Sequence, residues 1–148
     1  MIKKTSYLFL VFILAGCAHA TQYVPLPDQA KEIDDPAKGR IYVIRPTRFG
    51  FAVPMEISDD GQAIGKTVGH SYVSWERGPG NVVLQGHAEN TENLPLLVKE
   101  GRRTYVKQSV EMGIIMARNS LAPMDELTAK QHLSKLKPPK VELKKDVS

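Results

Sequence analysis

The sequence predicts a mainly β fold: an antiparallel β-sandwich of about seven or eight short strands, closed by one C-terminal α-helix. Three observations predict it. Apolar residues recur at every second position over several short stretches, the period of a half-buried strand. Turn formers separate these stretches, as in Asp60-Gly61 and Gly78-Pro79-Gly80. Only one stretch, after Pro123, carries the helical period, through Ala129, Leu133 and Leu136.

Taken in order, the chain opens on a leader. Lys3 and Lys4 are followed by an unbroken apolar run over residues 7–14 and then by Leu14-Ala15-Gly16-Cys17. Basic, apolar and small-residue regions in that order make an export signal. The last four residues match the lipobox, in which the peptide bond before the cysteine is cut and the thiol receives a diacylglycerol. Residues 1–16 are therefore expected to be removed and Cys17 to be lipidated. An uncleaved membrane helix would need about 20 apolar residues, far more than this run supplies. A plain secretory cut after Ala20 is the other alternative, since Ala18 and Ala20 form a small-x-small pair. One acyl chain binds a bilayer only marginally, whereas two or three hold a protein on it. The expected location is the cell envelope, and the outer membrane facing the periplasm if the host is Gram-negative, because Ala18 replaces the aspartate that favours inner-membrane retention.

Residues 17–38 follow as the lipidated cysteine and an extended tether, with Pro25, Pro27 and Pro36 among mixed polar residues. Residues 39–136 form the domain. Ile41 to Ile44 is a β-rich apolar run, and Val53, Met55 and Ile57 alternate with smaller or polar residues. Asp60-Gly61 turns the chain into Ala63 and Ile64. Tyr72 to Glu76 is a further strand. Val82, Leu84, Gly86 and Ala88 point one way and Val83, Gln85, His87 and Glu89 the other. Leu94, Leu96 and Val98 repeat the pattern, Thr104 to Val110 continues it, and a last strand is expected over residues 113–116. Pro123 suits the first helical position, Asp125 and Glu126 favour the helix start, and Pro138 and Pro139 stop the helix. Residues 137–148 read as a charged flexible tail.

The order of Ile41 to Pro46, the Asp60-Gly61 turn, Ser71-Tyr72, Pro79-Gly80 and Gly101 to Val106 resembles the bacterial domain-of-unknown-function 2846 family, over residues 38–133. The resemblance implies a small exported or lipid-anchored β-sandwich. It implies no chemistry, because the family has no assigned activity. Members often place a histidine soon after the Pro-Gly turn, where Asn81, Val82 and Val83 stand here.

Charge and cysteine content narrow the function classes. Without Lys3 and Lys4 the chain keeps 18 basic against 16 acidic residues, a charge of about +2. That is too mild for a nucleic-acid binder. Cys17 is the sole cysteine, so the domain is stabilised without disulfides. Gly61, Gly65, Lys66 and Thr67 imitate a phosphate loop, but with three residues between the glycines instead of four and a strand expected after them instead of a helix. His87 and Glu89 share a strand face, yet zinc wants three or four ligands, so no metal or cofactor is expected. Ser71, Ser74 and His70 with Asp59 or Asp60 supply the residue types of a hydrolase triad without a nucleophile-elbow motif.

Four residues are candidates for binding: Arg45, Arg48, Phe49 and Phe51. A strand-end arginine can grip a carboxylate or phosphate, or it can pair with an acid of its own domain such as Glu56 or Glu76. Phe49 and Phe51 flank Gly50 in a loop and can form a surface patch or plug one end of the sandwich. The expected function is non-enzymatic: a membrane-anchored domain that binds another envelope protein. Its rivals are a small-ligand or glycan module and, more remotely, a hydrolase.

Overall fold

A computed structural model describes residues 18–112 and 117–144. The leader, Cys17 and the expected strand over residues 113–116 lie outside the described residues. The strands are β1 (Thr21–Gln22), β2 (Gly39–Arg45), β3 (Met55–Asp59), β4 (Gln62–Thr67), β5 (Ser71–Arg77), β6 (Gly80–His87), β7 (Thr91–Val98), β8 (Arg103–Met112), β9 (Ala117–Pro123) and β10 (Lys140–Val141), with one helix, α1 (Glu126–Leu133). They form two sheets stacked as a sandwich, one ordered β10-β1-β4-β3-β6-β7 and the other β5-β2-β8-β9.

Strand β2 explains the architecture. All seven of its residues are buried. Ile41 and Val43 enter the core between the sheets, with Ile57, Val73, Leu84 and Val106. Tyr42 and Ile44 point to the other face, where Tyr72, Tyr105 and Ala129 form a second cluster covered by α1. A strand covered on both faces needs a continuous apolar run rather than alternation, which is what Ile41 to Ile44 provides. The ring of Tyr42 stacks on Tyr105 at 5.3 Å and tilts against Tyr72 at 6.2 Å. Helix α1 spans eight residues, too few to persist alone, so it depends on this packing. Asp125 caps it, its Oδ1 accepting from the Thr128 N–H at 2.9 Å.

Asp60 and Gly61, at φ 45° and 85°, make the two-residue turn that joins β3 to β4. Strand β6 buries Val82, Leu84 and Gly86, the positions that its alternation selects.

The structure corrects several expectations. The sheets are mixed rather than purely antiparallel, because β2 pairs in parallel with β8 and β1 with β10. Parallel neighbours need a long crossover, and most of the other sheet lies between β2 and β8 in sequence. Val53 belongs to a loop, and β3 begins at Met55. Pro123 ends β9 instead of opening the helix; a proline is tolerated at an edge-strand end, where its missing N–H costs no ladder bond. The segment expected as a tether is packed onto the domain from Ala20 onward. Within the expected tail, Lys140 and Val141 form a sheet edge beside β1.

Gln22 shows why the tether docks. Its side chain is fully buried and closes the free edge of β5. Oε1 accepts from the Ser74 N–H at 3.0 Å, and Nε2 donates to the Ser74 carbonyl at 2.7 Å. Arg40 holds the proline-rich stretch behind it. It pairs with Glu76 at 2.9 Å and donates to the carbonyls of Asp28 and Lys31, both at 3.1 Å.

Candidate functional site

The four candidate residues lie at one end of the sandwich. Arg45, at the end of β2, is completely buried. Among the described residues no acid pairs with it; Glu76, one of its two expected partners, is taken by Arg40. Its guanidinium instead donates to backbone carbonyls of the following loop, Val53 at 2.6 Å and Gly50 at 2.8 Å, with Thr67 of β4 at 3.5 Å. Burial pulls its pKa below the ordinary arginine value. Arg45 is thus a brace for the loop over residues 46–54, and it is not open to a ligand.

The braced loop points its apolar side chains outward. Phe49 is 54% exposed, Phe51 59% and Val53 42%. Two backbone bonds tie the loop to the turn before β5: the Gly69 N–H donates to Phe51 O at 3.0 Å and the His70 N–H to Thr47 O at 2.9 Å. Phe49 and Phe51 therefore make a surface patch and do not plug the core. Arg48 is exposed and lines a hollow of about 310 Å³ with Ala18, His70, Lys135 and Lys137. The loop, the C-terminal basic residues and the beginning of the described chain meet at this end.

The hydrolase candidates are not brought together. Ser71 Oγ accepts from the Val68 N–H at 2.9 Å and donates to the Val68 carbonyl at 2.7 Å, which closes a turn. The His70 ring contacts the Pro46 carbonyl at 3.3 Å. Ser74 is fully buried. Asp59 accepts from the Trp75 indole at 2.8 Å and pairs with Arg77. Asp60 accepts from the Val83 N–H at 2.7 Å, and this bond, with Arg77 nearby, holds its carboxyl below the usual range.

One serine–histidine contact that the sequence does not signal is present. Ser58 Oγ lies 3.0 Å from His87 Nε2, and His87 Nδ1 lies 3.2 Å from Thr91 Oγ1. The histidine's second nitrogen meets a hydroxyl where a triad would place an orienting carboxylate. Ser58 is only 4% exposed, so substrate has little access to it. The register that sets Glu56 opposite His87 and Ser58 opposite Gln85 creates this contact, and registers are invisible in a single strand's pattern.

The phosphate-loop imitation is strand β4 with its flanks. Thr67 is fully buried and donates to the Gln108 side chain. A Cβ at Gly65 would stand 2.3 Å from the Thr21 carbonyl, so this glycine admits β1 alongside β4. Strand β5 follows, with no helix to receive a phosphate. Among the described residues no three His, Cys, Asp or Glu side chains gather as metal ligands, and no helix is long and apolar enough to cross a membrane.

A larger concavity than the hollow beside Arg48 lies elsewhere. A basin of about 620 Å³ is lined by Val24, Pro25, Pro27, Trp75 and Arg77, among others. Its carboxylates are committed within the domain, Asp59 to Trp75 and Arg77 and Glu76 to Arg40. Comparison of the chain with protein-family models, curated proteins and solved structures finds no match.

Proposed function

We propose that this chain is a lipid-anchored, non-enzymatic protein of the cell envelope, whose sandwich binds another envelope component in an accessory or assembly role. One observation carries the reading: the packed fold begins at Ala20, three residues after the lipobox cysteine. Three residues span at most about 11 Å. A lipid on Cys17 would therefore hold the domain against the membrane, with the remaining surface open to a partner. The non-enzymatic part is supported by Ser71, Asp59 and Arg45, which are spent on internal bonds, and by Ser58, which is only 4% exposed beside His87. If the host is Gram-negative, Ala18 after the cysteine favours the outer membrane.

The anchor is tested by fractionating cells that carry the wild type or Cys17→Ala. Wild type should pellet with membranes and the variant should not. A variant that stays in the pellet without a bound partner defeats the anchor. The partner is tested by placing a photocrosslinking residue at Val83 or Leu97, 40% and 56% exposed on the β6–β7 hairpin. A discrete adduct in intact cells is the expected result; its absence at both positions removes this face as the docking surface.

A second reading rests on the basin beside Trp75. Its size suits a small ligand or one sugar unit. A quench or shift of Trp75 emission by candidate glycans, lost in Arg77→Ala, would favour it over the protein-binding reading.

A further inference from the structure

The end of the sandwich that bears Ala18 combines features that no internal role absorbs. The loop over residues 46–54 exposes two phenylalanines and a valine, which is unfavourable in water unless something covers them. Arg48 of the same loop lines a hollow with Lys135 and Lys137, and all three are exposed. Strand registers put these groups and the start of the described chain at the same end. Met55 pairs with Thr67 at one end of the β3–β4 hairpin, and Thr21 pairs with the adjacent Lys66. Ala18, three residues before Thr21, lines the hollow formed with Arg48 and Lys135. The Asp60-Gly61 turn marks the opposite end, where Leu97 is exposed.

We propose that this end is a membrane-docking face, with Phe49 and Phe51 entering the headgroup boundary of an anionic phospholipid bilayer and Arg48, Lys135 and Lys137 meeting its phosphates. The proposal rests on the anchor reading, since a lipid on Cys17, one residue from Ala18, would bring this face to the bilayer. Aromatic side chains settle at the level of the headgroups, and basic side chains near an anionic surface add attraction that salt screens. Arg45 supports the arrangement by fixing the carbonyls of Gly50 and Val53, so the loop is presented without ordering on contact. Acids also lie on this side: Glu56 and Glu89 share a hollow with Val53, Lys66 and His87, and Asp125 shares one with Pro46, Thr47 and Lys107, so each acid has a basic residue beside it. The phosphates of a lipid surface match the cations, and the hydrophobic boundary beneath them matches the rings.

The test uses the full lipidated chain on vesicles whose acyl chains are brominated, with Phe49→Trp, Phe51→Trp or Leu97→Trp as reporter. The emission of Trp75, which is 3% exposed, is subtracted from the parent chain. In phosphatidylcholine–phosphatidylglycerol vesicles, quenching at positions 49 and 51 should exceed that at 97 by at least about threefold. It should fall in phosphatidylcholine alone, at high salt, and when Arg48, Lys135 and Lys137 are all changed to Glu. If the chain floats with the vesicles but positions 49 and 51 are quenched no more than 97, docking is overturned while the anchor stands. Equal quenching on neutral vesicles overturns the role of the cations. A chain that does not float with the vesicles overturns the anchor, and the docking proposal with it.

Discussion

At the residue scale, buried polar side chains do work that their spacing does not reveal. Arg45 was legible as a strand-end cation, and its burial is not, because a run such as Ile41 to Ile44 does not say what covers its end. The cover is its own loop, whose carbonyls replace an acidic partner. Gln22, in a stretch read as tether, carries more of the fold than its sequence position signals. Replacing Gln22 with Ala strands the Ser74 N–H and carbonyl against the interior and should cost roughly 1–3 kcal/mol in chemical denaturation. A loss under about 0.5 kcal/mol would mean that water reaches the β5 edge. Tyr72 gives a pH signature. Burial, with Tyr42 nearby, pushes its pKa up to about 12 from an ordinary 10.0. The fold favours the protonated phenol, so this contribution is full below pH 10 and is lost as pH rises from there toward 12. Tyr105 shifts in the same direction, again chiefly through burial. Ultraviolet titration of the phenolates should show groups ionising late, together with loss of the fold. Reversible ionisation of all tyrosines near their ordinary value, with the fold intact, would contradict the packed tyrosine cluster.

At the element scale, the strands visible in the sequence are those whose burial follows one simple rule. Strand β6 alternates because one of its faces meets the core, and β2 is continuously apolar because both of its faces are covered. Strands β1 and β10 are two residues each and owe their existence to partners far away in sequence, so no local pattern announces them. Parallel pairing of β2 with β8 is equally silent, since side-chain alternation has no direction. The Ala129 and Leu133 face makes helix α1 legible, but Pro123 does not mark its start, because a proline suits both a helix opening and an edge-strand end. Strand β1 can be tested through Gly65, whose missing Cβ lets the Thr21 carbonyl approach. The obstacle is backbone and cannot rotate away. Gly65→Ala should detach β1, exposing the amides of Gln22 and Tyr23 to hydrogen exchange while those of β6 stay protected. Unchanged protection at residues 22 and 23 would show that β1 does not dock as described.

At the scale of the whole molecule, the candidate site was half legible. Phe49, Phe51 and Arg48 stand out in the sequence as residues of one loop, and they are exposed there. The nearness of Arg48 to Ala18, Lys135 and Lys137 depends on how β1 and the C-terminal segment fold back, which the sequence pattern does not contain. The same fold-back shortens the distance between Cys17 and the domain from a tether to a few residues, and the functional reading turns on that closeness. The most direct test is mass spectrometry of the amino-terminal peptide of the protein extracted from its native membranes. A lipid-anchored protein yields a chain that starts at Cys17 and carries the added mass of a diacylglycerol, with or without a third acyl chain. A mature chain starting at Thr21 with no lipid, or one that retains residues 1–16, would contradict the anchor.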